Sequence, residues 1–294
     1  MPHQPPGTVP TPNPSPSGEG PTGLLIRRAL AAAAARFAFS ATPRLDAELL
    51  MAHALGVTRE QLLLRHLDAE TPAAFAALAD RRAAHEPVAY ITGRRAFWTI
   101  DLQVGRGALV PRADSETLIE AALAHFGARA PGRILDLGTG PGTLLLAALD
   151  QWPGATGLGI DRSSAALTQA EANAARLGLA SRAAFRLGDW AEGVSERFDL
   201  VLANPPYVAA DDPLPREVRD HEPAGALYAG PDGLDAYRVL VPQLARLLAP
   251  GGAAALEIGA TQGKAVVEMA AAAGLRAELR RDLSGRDRCL LATP

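Results

Sequence analysis

Residues 133–142 read Arg-Ile-Leu-Asp-Leu-Gly-Thr-Gly-Pro-Gly, a short apolar run followed by a glycine-rich turn. A short apolar run that ends at glycine is typical of a strand buried on both faces of a parallel sheet. The apolar residues from Leu144 onward predict a helix directly after the turn. Glycines at such a junction let the backbone approach a ligand closely, and the N-terminus of the helix favours negative groups.

Strand-like and helix-like segments alternate from this turn to the end of the chain. We predict further strands at residues 157–161, 184–186, 198–202 and 253–258. Repeated β-α units of this kind predict an α/β fold, in which a mostly parallel sheet has helices on both faces. The last two predicted strands, 276–280 and 288–291, are joined by a short polar segment and resemble the antiparallel hairpin that closes the sheets of one class of α/β proteins.

The glycine turn and the next two strand ends favour one kind of cofactor. Gly138, Gly140 and Gly142 follow the spacing GxGxG, whereas dinucleotide-binding turns follow GxGxxG. Asp161 ends the second strand, where its carboxylate can accept hydrogen bonds from both hydroxyls of a ribose; alternatively, it caps the next helix beside Ser163. Because ligands of such sheets bind at the carboxyl ends of the strands, this combination predicts an S-adenosylmethionine site.

The third strand is followed by Gly188-Asp189-Trp190. An acidic side chain there can hold the adenine amino group, and the indole can pack on the adenine face. The alternative is a capped loop with a tryptophan that belongs to the core. Beside the glycine turn and Asp161, we interpret Trp190 as part of the cofactor site.

The fourth strand runs into Asn204-Pro205-Pro206-Tyr207. Two prolines in series rigidify a turn, and a turn with a buried tyrosine is the purely structural interpretation. The nitrogen of an amide or an amino-purine shares its lone pair with a π system. The side-chain oxygen of Asn204 and the carbonyl of Pro205 can accept its two hydrogens and fix it before a methyl donor, while Tyr207 packs against the flat acceptor. The motif therefore predicts methyl transfer to a planar nitrogen.

Upstream of this α/β region the sequence has a different texture. Residues near the start are rich in proline, glycine, serine and threonine, helical patterns follow with an N-cap at Thr58, and glycines then separate β-like segments. The β-like segments lie at residues 90–91, 97–100 and 102–104. We predict a disordered tail over 1–21, a helical domain over 22–87, a β-hairpin linker over 88–111 and a methyltransferase domain over 112–294.

Composition argues against several classes of protein. The net charge of −3 does not favour a protein that binds nucleic acid through its phosphates. Cys289 is the single cysteine, so no intrachain disulfide is possible, no metal site is expected, and a cytoplasmic location fits. No apolar run reaches the ~18 to 20 residues of a membrane span. Arg36 interrupts the alanine-rich run after Arg28, which favours an amphipathic helix over a signal peptide.

Taken together, these motifs resemble the peptide chain release factor glutamine methyltransferase family of the HemK/PrmC type. Residues 85–93 match the family's EPxxYIxG segment, and residues 110–117 are similar to its PRPxTE segment, with Ala113 in place of the second proline. Residues 285–288, Gly-Arg-Asp-Arg, match its closing hairpin. The resemblance covers nearly the whole chain after residue 22.

The resemblance implies a class I S-adenosylmethionine-dependent methyltransferase with a Rossmann-like sheet and a small N-terminal helical domain that grips the substrate. It implies methylation of the glutamine side-chain nitrogen (N5) in the Gly-Gly-Gln motif of translation release factors, by a monomer without direct nucleic-acid or membrane partners. The cofactor-binding residues that it implies are Gly138, Thr139, Gly140, Pro141, Gly142, Asp161, Trp190 and Asn204. The substrate-binding residues that it implies are Asn204, Pro205, Pro206 and Tyr207, with Asn204, Pro205 and Tyr207 as the catalytic set.

Three alternatives remain at the level of sequence. A DNA amino-methyltransferase also uses Asn-Pro-Pro-Tyr and flips its base, but it needs a DNA-recognition region and a basic surface. A sister enzyme methylates glutamine in a ribosomal protein and differs mainly in its N-terminal domain. A non-catalytic binding protein could keep the fold, but intact Asp161 and Asn204 argue against it.

Overall fold

The computed structural model describes residues 24–294, and the tail predicted over 1–21 lies outside this range. The chain separates into two compact units between Ala79 and Asp80. The domain boundaries at residues 87 and 111 stay predictions.

The first unit is helical, as the pattern over its residues predicts. Its helices are α1 (Ile26–Arg36), α2 (Pro43–Leu55), α3 (Arg59–Gln61) with a π-helical continuation (Leu62–His66), and α4 (Ala74–Ala83), which extends past the boundary. The predicted N-cap is present: the Thr58 hydroxyl accepts a hydrogen bond from the Gln61 amide at 3.2 Å, and the Gln61 side chain accepts one from the Thr58 amide at 3.0 Å. Leu30 and Leu50 are among its fully buried side chains.

A short helix and a hairpin open the second unit. They are α5 (Val88–Thr92), β1 (Arg94–Phe97) and β2 (Ile100–Gln103). The strand predicted at residues 90–91 is wrong, because these residues lie in α5. Pro87 precedes the helix with φ −57°, Gly93 ends it in the left-handed region, and the Tyr90 hydroxyl donates to the Ala108 carbonyl at 2.6 Å. These tertiary and capping interactions override the β-propensity of Tyr90.

Seven strands form the central sheet, in the order β5-β4-β3-β6-β7-β9-β8. The strands are β3 (Arg133–Leu137), β4 (Thr156–Asp161), β5 (Ala183–Leu187), β6 (Phe198–Ala203), β7 (Leu248–Glu257), β8 (Arg276–Arg281) and β9 (Asp287–Thr293). β3 to β7 run parallel, and β9 is antiparallel to both of its neighbours. The predicted α/β fold and its closing antiparallel hairpin are confirmed.

Helices cover both faces of this sheet. They are α6 (Glu116–Phe126), α7 (Thr143–Gln151), α8 (Ser164–Arg176), α10 (Asp235–Leu247) and α11 (Gly263–Ala272); the short α9 (Arg216–Arg219) lies in the segment between β6 and α10. Successive residues of β3 serve opposite faces: Ile134 belongs to the core cluster around α6 and α7, whereas Leu135 belongs to the cluster around α10 and α11. Burial on both faces explains the uninterrupted apolar run that the sequence shows here.

The order of the strands places the site. β4 and β5 lie on one side of β3, while β6 and β7 lie on the other, so the order reverses between β3 and β6. In open parallel sheets the crevice outside the carboxyl ends at such a reversal is where ligands bind. No helix among residues 24–294 is both long and apolar enough to cross a membrane.

Candidate active site

The glycine turn between β3 and α7 bends in a way that only glycine accommodates easily. Gly138, Gly140 and Gly142 have φ values of 73°, 56° and 85°, all in the left-handed region. A methyl group on Gly142 would also lie 2.8 Å from Leu146 Cδ1. The amides of Gly138 and Thr139 donate to the Ile160 carbonyl at 2.8 and 3.0 Å, which ties the turn to β4.

A cavity of about 260 Å³ lies at the carboxyl ends of β3, β4 and β6. Of the predicted site residues, those that line it are Gly138, Thr139, Gly140, Pro141, Asp161, Trp190, Asn204 and Pro206. Among the described residues, the predicted Gly142, Pro205 and Tyr207 are not part of this lining. Gly142 is the N-cap of α7, so its place in the motif reflects the shape of the turn.

Both carboxylate oxygens of Asp161 accept hydrogen bonds from backbone amides. One oxygen accepts from the Gly140 amide at 2.8 Å, and the other accepts from the Ser163 amide at 2.8 Å. Ser163 itself caps α8 by accepting from the Ala166 amide at 3.2 Å. Each carboxylate oxygen has further lone pairs, so a half-buried Asp161 held in this way can still accept from ribose hydroxyls.

Asp136 is a cavity residue that the sequence analysis did not single out. Its Oδ2 accepts from the Thr139 hydroxyl at 2.6 Å and the Leu145 amide at 3.2 Å, whereas its buried Oδ1 has no partner among the described residues. Burial raises the pKa of this carboxyl to about 7. An acidic residue at the end of a buried strand, directly before a glycine turn, is the sequence signal that could have identified it.

Trp190 lies beside the glycine turn in a strained conformation. It has φ 46°, which is uncommon for a non-glycine residue, and a Cβ placed on Gly138 would lie 3.6 Å from its indole ring. The ring is half-buried, contacts the core cluster around α10 and lines the cavity. It therefore combines both roles that the sequence left open, a core contact and an exposed apolar face.

Asn204 is held at the end of β6 by side chains from distant elements. Its Nδ2 donates to Ser115 Oγ at 3.1 Å, and the Ser115 hydroxyl donates to Glu257 Oε2. The Tyr207 hydroxyl donates to the other oxygen of Glu257 at 3.1 Å. Ser115 and Glu257 are almost fully buried and were missed as site residues, although Ser115 lies in the segment similar to PRPxTE.

Glu222 is a third buried carboxylate, and it pairs with Arg112, which lines the cavity. Glu222 Oε2 accepts from the Val110 amide at 3.1 Å, and Oε1 pairs with Arg112 at 2.5 Å. Glu222 is therefore occupied and does not offer a free general base. Among residues 24–294, no group of three or more His, Cys, Asp or Glu side chains is arranged to hold a metal ion.

The donors and acceptors of the cavity fit S-adenosylmethionine. The unpartnered Asp136 oxygen suits an ammonium group, the Asp161 carboxylate suits two neighbouring hydroxyls, and the Trp190 ring offers a flat apolar face. These three groups surround the glycine turn, where the backbone leaves room for a ligand. S-adenosylmethionine has all three matching parts, in its amino acid, its ribose and its adenine.

A parallel sheet that closes with an antiparallel hairpin, with this cavity where its strand order reverses, defines the class: the chain is an S-adenosylmethionine-dependent methyltransferase. Residues 129–269 match a methyltransferase domain family, and residues 28–93 match the family described as PrmC N-terminal domain.

A release factor glutamine methyltransferase of Caulobacter vibrioides is 48% identical over 257 residues, which cover 85% of this chain and 89% of the relative. One from Rhodospirillum rubrum is 47% identical over a match that covers 85% of this chain and 78% of the relative. One from Moorella thermoacetica is 43% identical over a match that covers 92% of this chain and 98% of the relative. The chain belongs to the release factor glutamine methyltransferase family.

Proposed function

We propose that this chain transfers the methyl group of S-adenosylmethionine to the N5 nitrogen of the glutamine in the Gly-Gly-Gln motif of translation release factors. The observation that supports this most directly is the Asn204 side chain, which lines the cofactor cavity with its Nδ2 engaged by Ser115. Its Oδ1 is thereby left to the acceptor. The names of the relatives supply the protein that bears the glutamine.

The residues of the chain bind and orient the two substrates. Asp136 and Asp161 hold the amino acid and ribose parts of the donor, and Trp190 covers the adenine. When bound, S-adenosylmethionine supplies an electrophilic methyl group on a sulfonium, whose departure drives much of the reaction. Asn204 Oδ1 and the Pro205 carbonyl accept the two hydrogens of the glutamine amide, so that its lone-pair face meets the methyl carbon. Positioning of this kind contributes ~7 to 11 kcal/mol.

The proton of the methylated amide leaves without a strong base, because an N-alkylated amide cation is very acidic. Glu222 is paired with Arg112, and burial raises the pKa of the Tyr207 hydroxyl, which keeps it neutral. Tyr207 acts as a wall of the acceptor site and as a donor to Glu257, rather than as a base.

We also propose in what form and where the chain acts, and which unit recognises the substrate. The chain acts as a monomer in the cytoplasm, where release factors are found, and the helical unit at its N-terminus recognises the release factor. A direct role for nucleic acid is not expected with a net charge of −3. The domain boundaries at residues 87 and 111 belong to the same proposal.

The test is methyl transfer from labelled S-adenosylmethionine to three purified acceptors: a release factor, ribosomal protein and duplex DNA. We expect label in the release factor, and none when its Gly-Gly-Gln glutamine is replaced by alanine. Label in ribosomal protein alone would favour the sister activity, and label in DNA alone would contradict methylation of a protein amide.

A further inference from the structure

We propose that Ser115 and Glu257 are positioning residues that fix the orientation of the Asn204 side-chain amide. They do so because the hydrogen bonds from Asn204 to Ser115 and from Ser115 to Glu257 can run in only one direction. The proposal rests on the proposed function, because it concerns the group that holds the acceptor nitrogen. It adds two residues that the Asn-Pro-Pro-Tyr motif does not contain. Ser115 lines the cavity, but the role proposed for both residues acts through Asn204.

The need for such a device follows from the chemistry of Asn204. The two ends of its amide have nearly the same size and shape, yet one accepts hydrogen bonds and the other donates them. The acceptor nitrogen also presents N–H groups. If the Asn204 amide were rotated by half a turn, donors would face donors and the acceptor nitrogen would not be oriented.

Ser115 chooses between these two states. Its Oγ lies 3.1 Å from Asn204 Nδ2 and within hydrogen-bond distance of Glu257 Oε2. A hydroxyl has one hydrogen, and an ionised carboxylate only accepts. The Ser115 hydroxyl therefore donates its hydrogen to Glu257, and the Ser115 oxygen can only accept a hydrogen bond from Asn204. Only the orientation with Nδ2 toward Ser115 and Oδ1 toward the acceptor gives a hydrogen bond to the Ser115 oxygen and also accepts one from the acceptor nitrogen.

Ionised Glu257 sets the direction of the chain, and its hydrogen bonds and Arg288 offset part of the cost of burying its charge. It lies at the end of β7 and is 1% exposed. The Tyr207 hydroxyl donates to its second oxygen at 3.1 Å. The buried guanidinium of Arg288 favours the ionised form, although Arg288 also pairs with Asp282 at 3.4 Å and Asp114 at 3.3 Å.

Protonation of Glu257 would release the constraint. A protonated carboxyl can donate to Ser115, whose hydrogen can then turn to Asn204 Oδ1 and favour the wrong orientation. Burial raises the pKa of Glu257, partly offset by Ser115, Arg288 and Tyr207. Activity is thus present above the pKa of Glu257 and lost as the pH falls through it. This loss occurs at a higher pH than an ordinary glutamate would give.

The experiment compares Ser115→Ala, Ser115→Thr and Glu257→Gln with the full-length wild type, using the acceptor that the wild type methylates. Ser115→Ala should lower kcat by about 10- to 100-fold. The KM values for S-adenosylmethionine and for the acceptor should change little, because the variant still binds the acceptor but does not orient its nitrogen. Ser115→Thr keeps the hydroxyl and should restore most of the rate. Ser284→Ala, at an exposed serine of the β8–β9 turn, is the matched control with wild-type kinetics.

The pH profile separates this role from a structural one. Wild-type kcat should fall on the acid side, and Glu257→Gln should lose that acid limb, because its side chain does not titrate. The proposal is overturned if Ser115→Ala keeps the wild-type kcat, if Ser115→Thr binds cofactor normally but does not recover, or if Glu257→Gln keeps the acid limb. Failure of the release factor as a substrate, with these ratios intact on another amide or amino acceptor, would instead overturn the proposed function.

Discussion

Asn204 lines the cofactor cavity, and in the proposed function its side-chain oxygen binds the acceptor. Replacing it with alanine removes the acceptor oxygen but leaves Asp136, Asp161 and Trp190 in place. We expect Asn204→Ala to lower kcat by about 10²- to 10³-fold, the effect of losing one group that stabilises the transition state. The dissociation constant of S-adenosylhomocysteine, measured by calorimetry, should change only a few-fold. Equal losses in rate and cofactor affinity would assign Asn204 mainly to the cofactor.

We expect Asp136 to make cofactor binding depend on pH. Its carboxyl, with a pKa near 7 in the free protein, must ionise to pair with the ammonium of the cofactor. Above pH 7 the carboxyl is already ionised and affinity is greatest; below it, affinity falls by up to about tenfold per pH unit, because a proton is released on binding.

Calorimetric titration of S-adenosylhomocysteine at several pH values measures this dependence. Asp136→Asn, which does not titrate, is the matched variant and should bind more weakly with a flat profile. A flat profile for the wild type would show that the unpartnered Asp136 oxygen does not meet the ammonium.

At the scale of elements, the turn between β3 and α7 makes the strictest demand on sequence. Gly142→Ala combines a left-handed backbone, at φ 85°, with a Cβ only 2.8 Å from Leu146 Cδ1. A non-glycine residue in this region costs about 1–3 kcal/mol, and the contact adds to that cost. We expect a lower free energy of unfolding in urea.

Gly154→Ala provides the control for this change. Gly154 lies in an exposed turn outside the left-handed region, and a Cβ there would meet nothing within 4 Å. Its free energy of unfolding should stay close to that of the wild type. Equal stability of Gly142→Ala and Gly154→Ala would show that the glycine turn tolerates a side chain.

Sequence patterns predicted elements well where burial alone decides the structure. The run from Ile134 to Leu137 is a strand because it is buried on both faces, and this is visible from composition and length. Residues 90–91 were predicted as strand but lie in α5. There, Pro87, Gly93 and the hydrogen bond from Tyr90 to Ala108 decide the outcome, and that bond joins positions 18 residues apart.

For the molecule as a whole, the candidate site could be predicted only as far as local motifs reach. Four features can be recognised locally because each follows a predicted strand: the glycine turn, Asp161, Trp190 and Asn204. The parallel topology of the sheet then brings them together. Ser115 is 89 residues from Asn204 and 142 from Glu257, so their contact depends on the complete fold. A single buried glutamate in an apolar strand carries no local signature of its partner.

The central claim concerns the acceptor, and one measurement addresses it directly. A purified release factor is incubated with the chain and S-adenosylmethionine, and its peptides are analysed by tandem mass spectrometry. We predict one added methyl group on the side-chain nitrogen of the Gly-Gly-Gln glutamine, formed about 10²- to 10³-fold more slowly with Asn204→Ala. An unmodified Gly-Gly-Gln peptide, from an enzyme that methylates ribosomal protein or DNA in parallel, would contradict the account.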